Sequence, residues 1–142
     1  MTYLVDTSAL VRIVRKQTSP AWYDFAEKGL LAVCEPVVAE TMLIASTKEY
    51  AAIEDYVAKL CIPVSAPERM WKMSAAIRRA LVPHGAHRGL SGVDLEVVAA
   101  AVLLKLTVLH EDADFETAAR FVPAVRERRI SPGPGRLSGA GQ

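Results

Sequence analysis

Tyr3-Leu4-Val5-Asp6-Thr7-Ser8-Ala9-Leu10 decides the fold class of this 142-residue chain. A short apolar run ends in an acid, two hydroxyl residues follow, and an apolar helical pattern begins. That order predicts a buried strand, centred on Leu4-Val5, that delivers a carboxylate to its C-terminal end. In open parallel α/β sheets, ligands bind outside that end. Asp6 has a plainer reading too, as a turn residue accepting backbone amides before the helix.

Outward from this stretch, strands and helices alternate. Ser8 is expected to cap a helix carrying Leu10, Val11, Ile13 and Val14. Ser19-Pro20 starts a second helix, with Trp22, Phe25 and Ala26 at core spacing and an end at Gly29. Residues 30–34 form a second apolar strand. Pro36 opens a helix over 37–47, and residues 48–61 form another, with Ile53, Tyr56, Val57 and Leu60 as its stripe. Val64 marks a short strand. Pro67-Glu68 starts an amphipathic helix through Met70, Trp71, Ile77 and Leu81, and a loop rich in Gly and His covers 83–92. Residues 91–106 form a strongly apolar helix, 107–109 a strand, 114–121 a short helix, and 125–130 an exposed edge strand. Right-handed crossovers then give a three-layer α/β/α fold around a central parallel sheet. We expect one domain over residues 1–130 and a flexible tail rich in Gly and Pro over 131–142.

Composition narrows the class. The chain is 51% hydrophobic and 23% charged, which suits a globular domain, and its net charge is +1. A nucleic-acid surface would have to be a local basic patch. Cys34 and Cys61 lie in apolar segments without metal-ligand spacing and read as buried thiols of a reducing compartment. No signal peptide is expected, and the longest apolar run falls short of a membrane span. A cytoplasmic protein follows as the expectation.

Three further acids can be argued onto the sheet edge that carries Asp6. Glu40 is surrounded by apolar residues in Val37-Val38-Ala39-Glu40-Thr41-Met42-Leu43. Burying it would be costly without a cation, and a solvent-facing position is the alternative. Asp94 stands three residues after Ser91, the spacing of a capping box, so it is a cap, a site residue or both. Asp112 follows the strand at 107–109, and Glu111, Asp112 and Asp114 crowd into four residues. Such acids repel unless they are solvated or bound to a cation, although Asp112 or Asp114 could simply cap the next helix. Carboxylates in oxygen-only surroundings suit Mg²⁺ or Mn²⁺, and such a site can activate water against a phosphodiester. There is no phosphate-binding glycine fingerprint and no Gly-x-Ser-x-Gly elbow.

At these residues the chain resembles the PIN-domain ribonucleases, and specifically the VapC toxins of bacterial toxin–antitoxin pairs. Val5-Asp6-Thr7-Ser8-Ala9-Leu10 is similar to the family's opening motif, and Glu40 matches the second acid. Asp94, heading Leu95-Glu96-Val97-Val98-Ala99-Ala100-Ala101, matches the third. Leu109-His110-Glu111-Asp112-Ala113-Asp114-Phe115 resembles the closing motif, with Asp112 the fourth acid and Asp114 the next. Glu96 departs from the pattern, since many relatives are apolar there. The resemblance implies Mg²⁺- or Mn²⁺-dependent RNA cleavage, a cognate VapB-type antitoxin, and commonly a homodimer. Asp6, Asp94 and Asp112 would hold the ions, Glu40 and Asp114 would ligate directly or through water, and Thr7 or Ser8 would support a carboxylate or act only as caps.

RNA must also be gripped. Residues 67–90 carry Arg69, Lys72, Arg78, Arg79 and Arg88 against the single acid Glu68, with His84 and His87 between them. This is a phosphate-binding patch or an ordinary solvated face. Arg12, Arg15 and Lys16 form a second candidate patch. Trp22 and Trp71 are expected in the core, with base stacking as the alternative. The chief competing function is a catalytically silent PIN-like RNA-binding or interaction module. A DNA-directed nuclease would use the same acids. A haloacid-dehalogenase-like enzyme would want Asp where Ser8 stands.

Overall fold

The computed structural model describes residues 2–135. Five parallel strands form one sheet: β1 (Tyr3–Val5), β2 (Leu31–Cys34), β3 (Ile62–Val64), β4 (Thr107–His110) and β5 (Glu127–Arg129). Their order is β3-β2-β1-β4-β5. β1 and β4 pair with Val5 opposite Leu109, and the Asp6 amide donates to the Leu109 carbonyl at 2.9 Å. Both strands are fully buried, which explains the apolar Tyr3-Leu4-Val5 and Val108-Leu109.

From β1 the chain steps to β2 and then β3 through α1 (Thr7–Val14), α2 (Ala21–Glu27), α3 (Glu35–Thr41) and α4 (Tyr50–Leu60). It then returns past β1 to β4 through α5 (Met70–Leu81) and α6 (Gly92–Leu104), and reaches β5 through α7 (Ala113–Phe121). With right-handed crossovers, the reversal puts α1–α4 on one face and α5–α7 on the other, the expected three layers. The reversal also makes the gap beyond the C-terminal ends of β1 and β4 the topological switch point. α6 is apolar on almost every side because it lies beneath α5, against which it packs. Tyr3, Trp22 and Phe25 form an aromatic cluster in the core, with Tyr3 and Trp22 edge to face at 5.6 Å.

Several expectations are corrected. Ser8 does not cap α1: Asp6 is the cap, accepting the Ser8 amide at 3.1 Å, and Ser8 lies inside the first turn. α3 stops at Thr41, and a single 3₁₀ turn over Met42–Ile44 ends that segment short of residue 47. α5 begins at Met70 after Arg69 takes a left-handed conformation (φ 69°), three residues later than Pro67 suggested. Trp22 is wholly buried, and its indole N–H donates to the Ile130 carbonyl at 3.0 Å. Trp71 is 72% exposed and is no core residue. The chain keeps fixed contacts past residue 130: the Arg128 guanidinium donates to the Gly133 carbonyl at 2.9 Å, and Gly133 and Pro134 are buried. The rest of the expected tail, residues 136–142, lies outside the described residues. Among the described residues no helix is long and apolar enough to cross a membrane.

Candidate active site

The switch point gathers carboxylates. Asp6 leaves the end of β1 and is only 2% exposed. Its Oδ2 accepts from the Ser8 amide and from the Ser8 hydroxyl at 2.8 Å, while Oδ1 is buried without a hydrogen-bond partner. Burial raises the Asp6 carboxyl above its ordinary range; the Ser8 bonds oppose that shift and the Asp94 charge adds to it.

Asp94 sits at the third position of α6 in a reciprocal capping box with Ser91: its Oδ2 accepts the Ser91 amide at 3.0 Å, and its own amide donates to the Ser91 hydroxyl at 3.1 Å. The capping role is therefore real. Burial nevertheless raises the Asp94 carboxyl, and the charges of Asp112 and Glu40 raise it further against the Ser91 bonds. A cap out on the surface would not sense two other acids. Asp112 caps α7 in the same manner, with Oδ1 accepting the Asp114 amide at 2.9 Å. Asp114 is raised by burial, then by the Asp112 carboxylate, and also by Asp94. Glu40 is half-buried on α3 and accepts the Thr7 hydroxyl at 2.7 Å, which ties α3 to the start of α1. The five acids thus share one electrostatic neighbourhood, and their caps and clamps leave carboxylate oxygens free.

Ser8 joins the two strand ends. Its hydroxyl donates to Asp6 and accepts the Glu111 amide at 2.9 Å. His110, the last residue of β4, is fully buried and accepts the Asp112 amide at Nδ1. Glu111 points away from the acids, accepting Arg129 at 3.1 Å and the Ser131 amide at 3.1 Å. Desolvation works against its charge, but Ser131 and Arg129 prevail and hold the Glu111 carboxyl below its ordinary range. Gly89 presses on Asp114: a β-carbon there would lie 2.7 Å from Oδ1. The sequence alone does not single out His110 or Gly89; it favours Ser8 as a helix cap, whereas the alternative role of Thr7 and Ser8, a hydroxyl bonded to a carboxylate, is the one present. A histidine closing an apolar strand immediately before the acids was the available signal.

The cations fall into two sets. Arg78, Arg79 and Arg88 are exposed and enter no ion pair among the described residues. Arg88 adjoins Gly89 in the chain, and Gly89 lies against the Asp114 carboxylate. Arg12 turns back on α1 and donates to the Ser8 carbonyl at 2.6 Å. Glu96 lines a cavity of about 380 Å³ with Cys34, Pro36, Val64 and Met70, beyond the ends of β2 and β3. Burial raises the Cys34 thiol, and the charges of Glu96 and Asp6 both add to that shift.

The donor set is carboxylate oxygen throughout, which matches a hard divalent cation. The unpartnered Asp6 Oδ1 fits the same ion, since a buried carboxylate oxygen without a donor is costly unless a cation meets it. Among the described residues no three His, Cys, Asp or Glu side chains close into a ready-made ion-binding group.

The PIN domain family model matches residues 3–121. Ribonuclease VapC2 of Mycobacterium tuberculosis (strain CDC 1551 / Oshkosh) is 33% identical over 128 residues, covering 89% of this chain and 91% of the relative. Ribonuclease VapC6 of the same organism is 34% identical over 106 residues, covering 74% of this chain and 84% of its own. Among solved structures, the DNA-bound VapBC from Salmonella typhimurium is similar with a TM-score of 0.74 at 14% identity, over 92% of this chain and 98% of that one. VapBC2 from Rickettsia felis, bound to a promoter DNA fragment, gives 0.73 at 17% identity, over 91% and 98%. At those identities the structural likeness bears on the fold alone.

Proposed function

This chain belongs to the PIN-domain family, in its VapC branch, and from that premise we propose that it is a Mg²⁺- or Mn²⁺-dependent endoribonuclease, the toxin of a type II toxin–antitoxin pair. The observation that carries the reading is the buried, unpartnered Asp6 Oδ1 beside acids that feel one another's charge: Asp94 acts on Asp6, Asp112 and Glu40 act on Asp94, and Asp112 and Asp94 act on Asp114.

Asp6, Asp94 and Asp112 would hold the ion, with Glu40 and Asp114 as further carboxylates available to it. When bound, the ion supplies Lewis-acid polarisation of the phosphodiester and a water of lowered pKa. The chain's own residues arrange the rest. Ser8 fixes Asp6 by its hydroxyl, so the free oxygen keeps one direction. Thr7 holds one Glu40 oxygen and leaves the other to orient water. Arg78, Arg79 and Arg88 are the phosphate grip, in reach of solvent and unspent on carboxylates. Arg12 joins them only by releasing the Ser8 carbonyl.

A VapB-type antitoxin and a homodimer are the proposed protein partners. Exposed Leu43 (84%) and Trp71 (72%) are apolar side chains that such partners would cover. The test is cleavage of a mixed RNA pool beside matched single-stranded DNA, with Mg²⁺, Mn²⁺ or EDTA, for wild type, Asp6→Asn and Asp94→Asn. Metal-dependent RNA cleavage lost in both variants supports the proposal. Folded protein that cuts neither nucleic acid refutes it and leaves the silent binding module.

A further inference from the structure

We infer that His110 is a positioning residue for Asp112, held in one tautomer by Glu127 of the edge strand. The inference rests on the reading of Asp112 as an ion ligand.

His110 ends β4 and has no exposed surface. An apolar residue would fill that position at lower cost, because a buried imidazole needs partners for both nitrogens. Both are used. The Asp112 amide lies 3.0 Å from Nδ1, and an amide N–H can only donate. Nδ1 must therefore offer a lone pair, and the neutral ring carries its hydrogen on Nε2. Nε2 stands 2.8 Å from Glu127 Oε1, a carboxylate oxygen that can only accept. The two bonds select the same tautomer. The Phe115 ring, 5.0 Å from the imidazole, packs beside it.

The consequence falls on Asp112. Its amide is bound by His110, its Oδ1 is bound by the Asp114 amide, and Oδ2 carries no hydrogen bond among the described residues. With the backbone and one oxygen fixed, the carboxylate has little freedom left, and its charge bears on both Asp94 and Asp114, the latter also within side-chain hydrogen-bond reach. The preceding amide, Glu111, is bound by Ser8. Both turn amides between β4 and α7 are thus held by side chains, one from Ser8 of α1 and one from His110 at the end of β4. Glu127 lies opposite Val108 on β5, so the edge strand helps to build the site although it contributes no carboxylate to it.

Four variants separate positioning from packing. His110→Leu removes both bonds. His110→Gln keeps a donor for Glu127 but does not meet the Asp112 amide. His110→Asn offers an oxygen to the amide two residues on, as in an Asx turn. Glu127→Gln keeps an oxygen for Nε2–H. We expect kcat to fall roughly 10- to 100-fold in His110→Leu and His110→Gln at unchanged KM. His110→Asn should recover most of that loss, and Glu127→Gln should stay near wild type. Equal losses in His110→Asn and His110→Gln would overturn the inference. Two readouts do not need turnover. Nitrogen-15 shifts of the imidazole, assigned by their absence in His110→Asn, should show a bare Nδ1 and a protonated Nε2; a protonated Nδ1 in the neutral ring overturns the inference. Mn²⁺ binding should weaken in the Leu and Gln variants and hold in Asn. Wild type that cuts no RNA would defeat the proposed function, while these two readouts would still decide the role of His110.

Discussion

Gly89 and Asp114 meet so closely that a β-carbon on Gly89 would stand 2.7 Å from Asp114 Oδ1 and 2.9 Å from its Cγ. Gly89 has an ordinary negative φ of −78°, so the glycine is there for space and not for backbone freedom. The loop before α6 thereby sets how far the Asp114 carboxylate can swing. Gly89→Ala should turn that carboxylate away from Asp112 and Asp94. The displaced atoms are the end of a flexible side chain, so unfolding free energy should change by less than about 1 kcal/mol. Cleavage and Mn²⁺ affinity should both fall. Unchanged cleavage in Gly89→Ala would remove Asp114 from the working site.

Ser8→Ala cuts the link between the two strand ends. Asp6 Oδ2 loses one of its two donors and the Glu111 amide loses its acceptor. Leaving a part-buried amide without a partner should cost roughly 1–3 kcal/mol in urea unfolding. Cleavage should fall further than stability alone explains, because Asp6 and the Asp112 turn both lose a support. Ser8→Thr, which keeps the hydroxyl, is expected to restore activity if its extra methyl is accommodated.

Acid pairs at the site should make it a stability liability without an ion. Burial and neighbouring charge raise the folded-state pKa of Asp6 and of Asp94. The folded chain therefore binds these protons more tightly than the unfolded chain. Their contribution to stability is greatest below the unfolded pKa, about 3.9, and declines as pH rises through the folded values. At neutral pH, Asp6→Asn and Asp94→Asn should be more stable than wild type in metal-free buffer, and inactive. The stability difference should shrink on acidification to about pH 4. Mg²⁺ or Mn²⁺ should raise the melting temperature of wild type and leave Asp6→Asn unmoved. Variants less stable than wild type at neutral pH would mean the carboxylates are structural.

Glu111 has the opposite sign. Its folded pKa is lowered by Ser131 and Arg129 against desolvation, so its contribution is present above the unfolded pKa and is lost as pH falls through the folded value. Arg129→Ala should lessen that acid-range dependence without abolishing it, because the larger Ser131 contribution remains, and denaturant midpoints across the acidic range would register the change.

The exposed arginines carry a salt signature. If Arg78, Arg79 and Arg88 bind phosphates, log affinity for single-stranded RNA should fall linearly with log salt, and each Arg→Ala should lessen the slope by about 0.7. Individual Arg→Ala variants that leave the slope unchanged would return those residues to ordinary surface. Arg12→Ala should have the smaller effect, since its guanidinium is already spent on the Ser8 carbonyl.

What the sequence by itself determined was whatever depends on local pattern. Leu4-Val5 and Val108-Leu109 are apolar because their strands are covered on both faces, and the acids mark where those strands end. The alternation of strand and helix, together with right-handed crossovers, then implies a parallel three-layer sheet. Ser91 with Asp94 was legible as a capping box because its partners lie three residues apart. Trp71 misled the reading because hydrophobicity at helical spacing does not say which part of the apolar face a neighbour covers.

Only the tertiary structure decided what depends on distant partners. Ser8 belongs to Asp6 and Glu111 rather than to a helix cap because β1 and β4 pair in parallel across about a hundred residues of chain, and the pairing brings that amide to the hydroxyl. Thr7 meets Glu40, His110 meets Glu127, and Gly89 meets Asp114 for the same reason: each pair bridges two elements whose approach is set by packing. Single acids look like caps in the sequence because they are caps, and it is the strand reversal at β1 and β4 that puts them within reach of one another's charge.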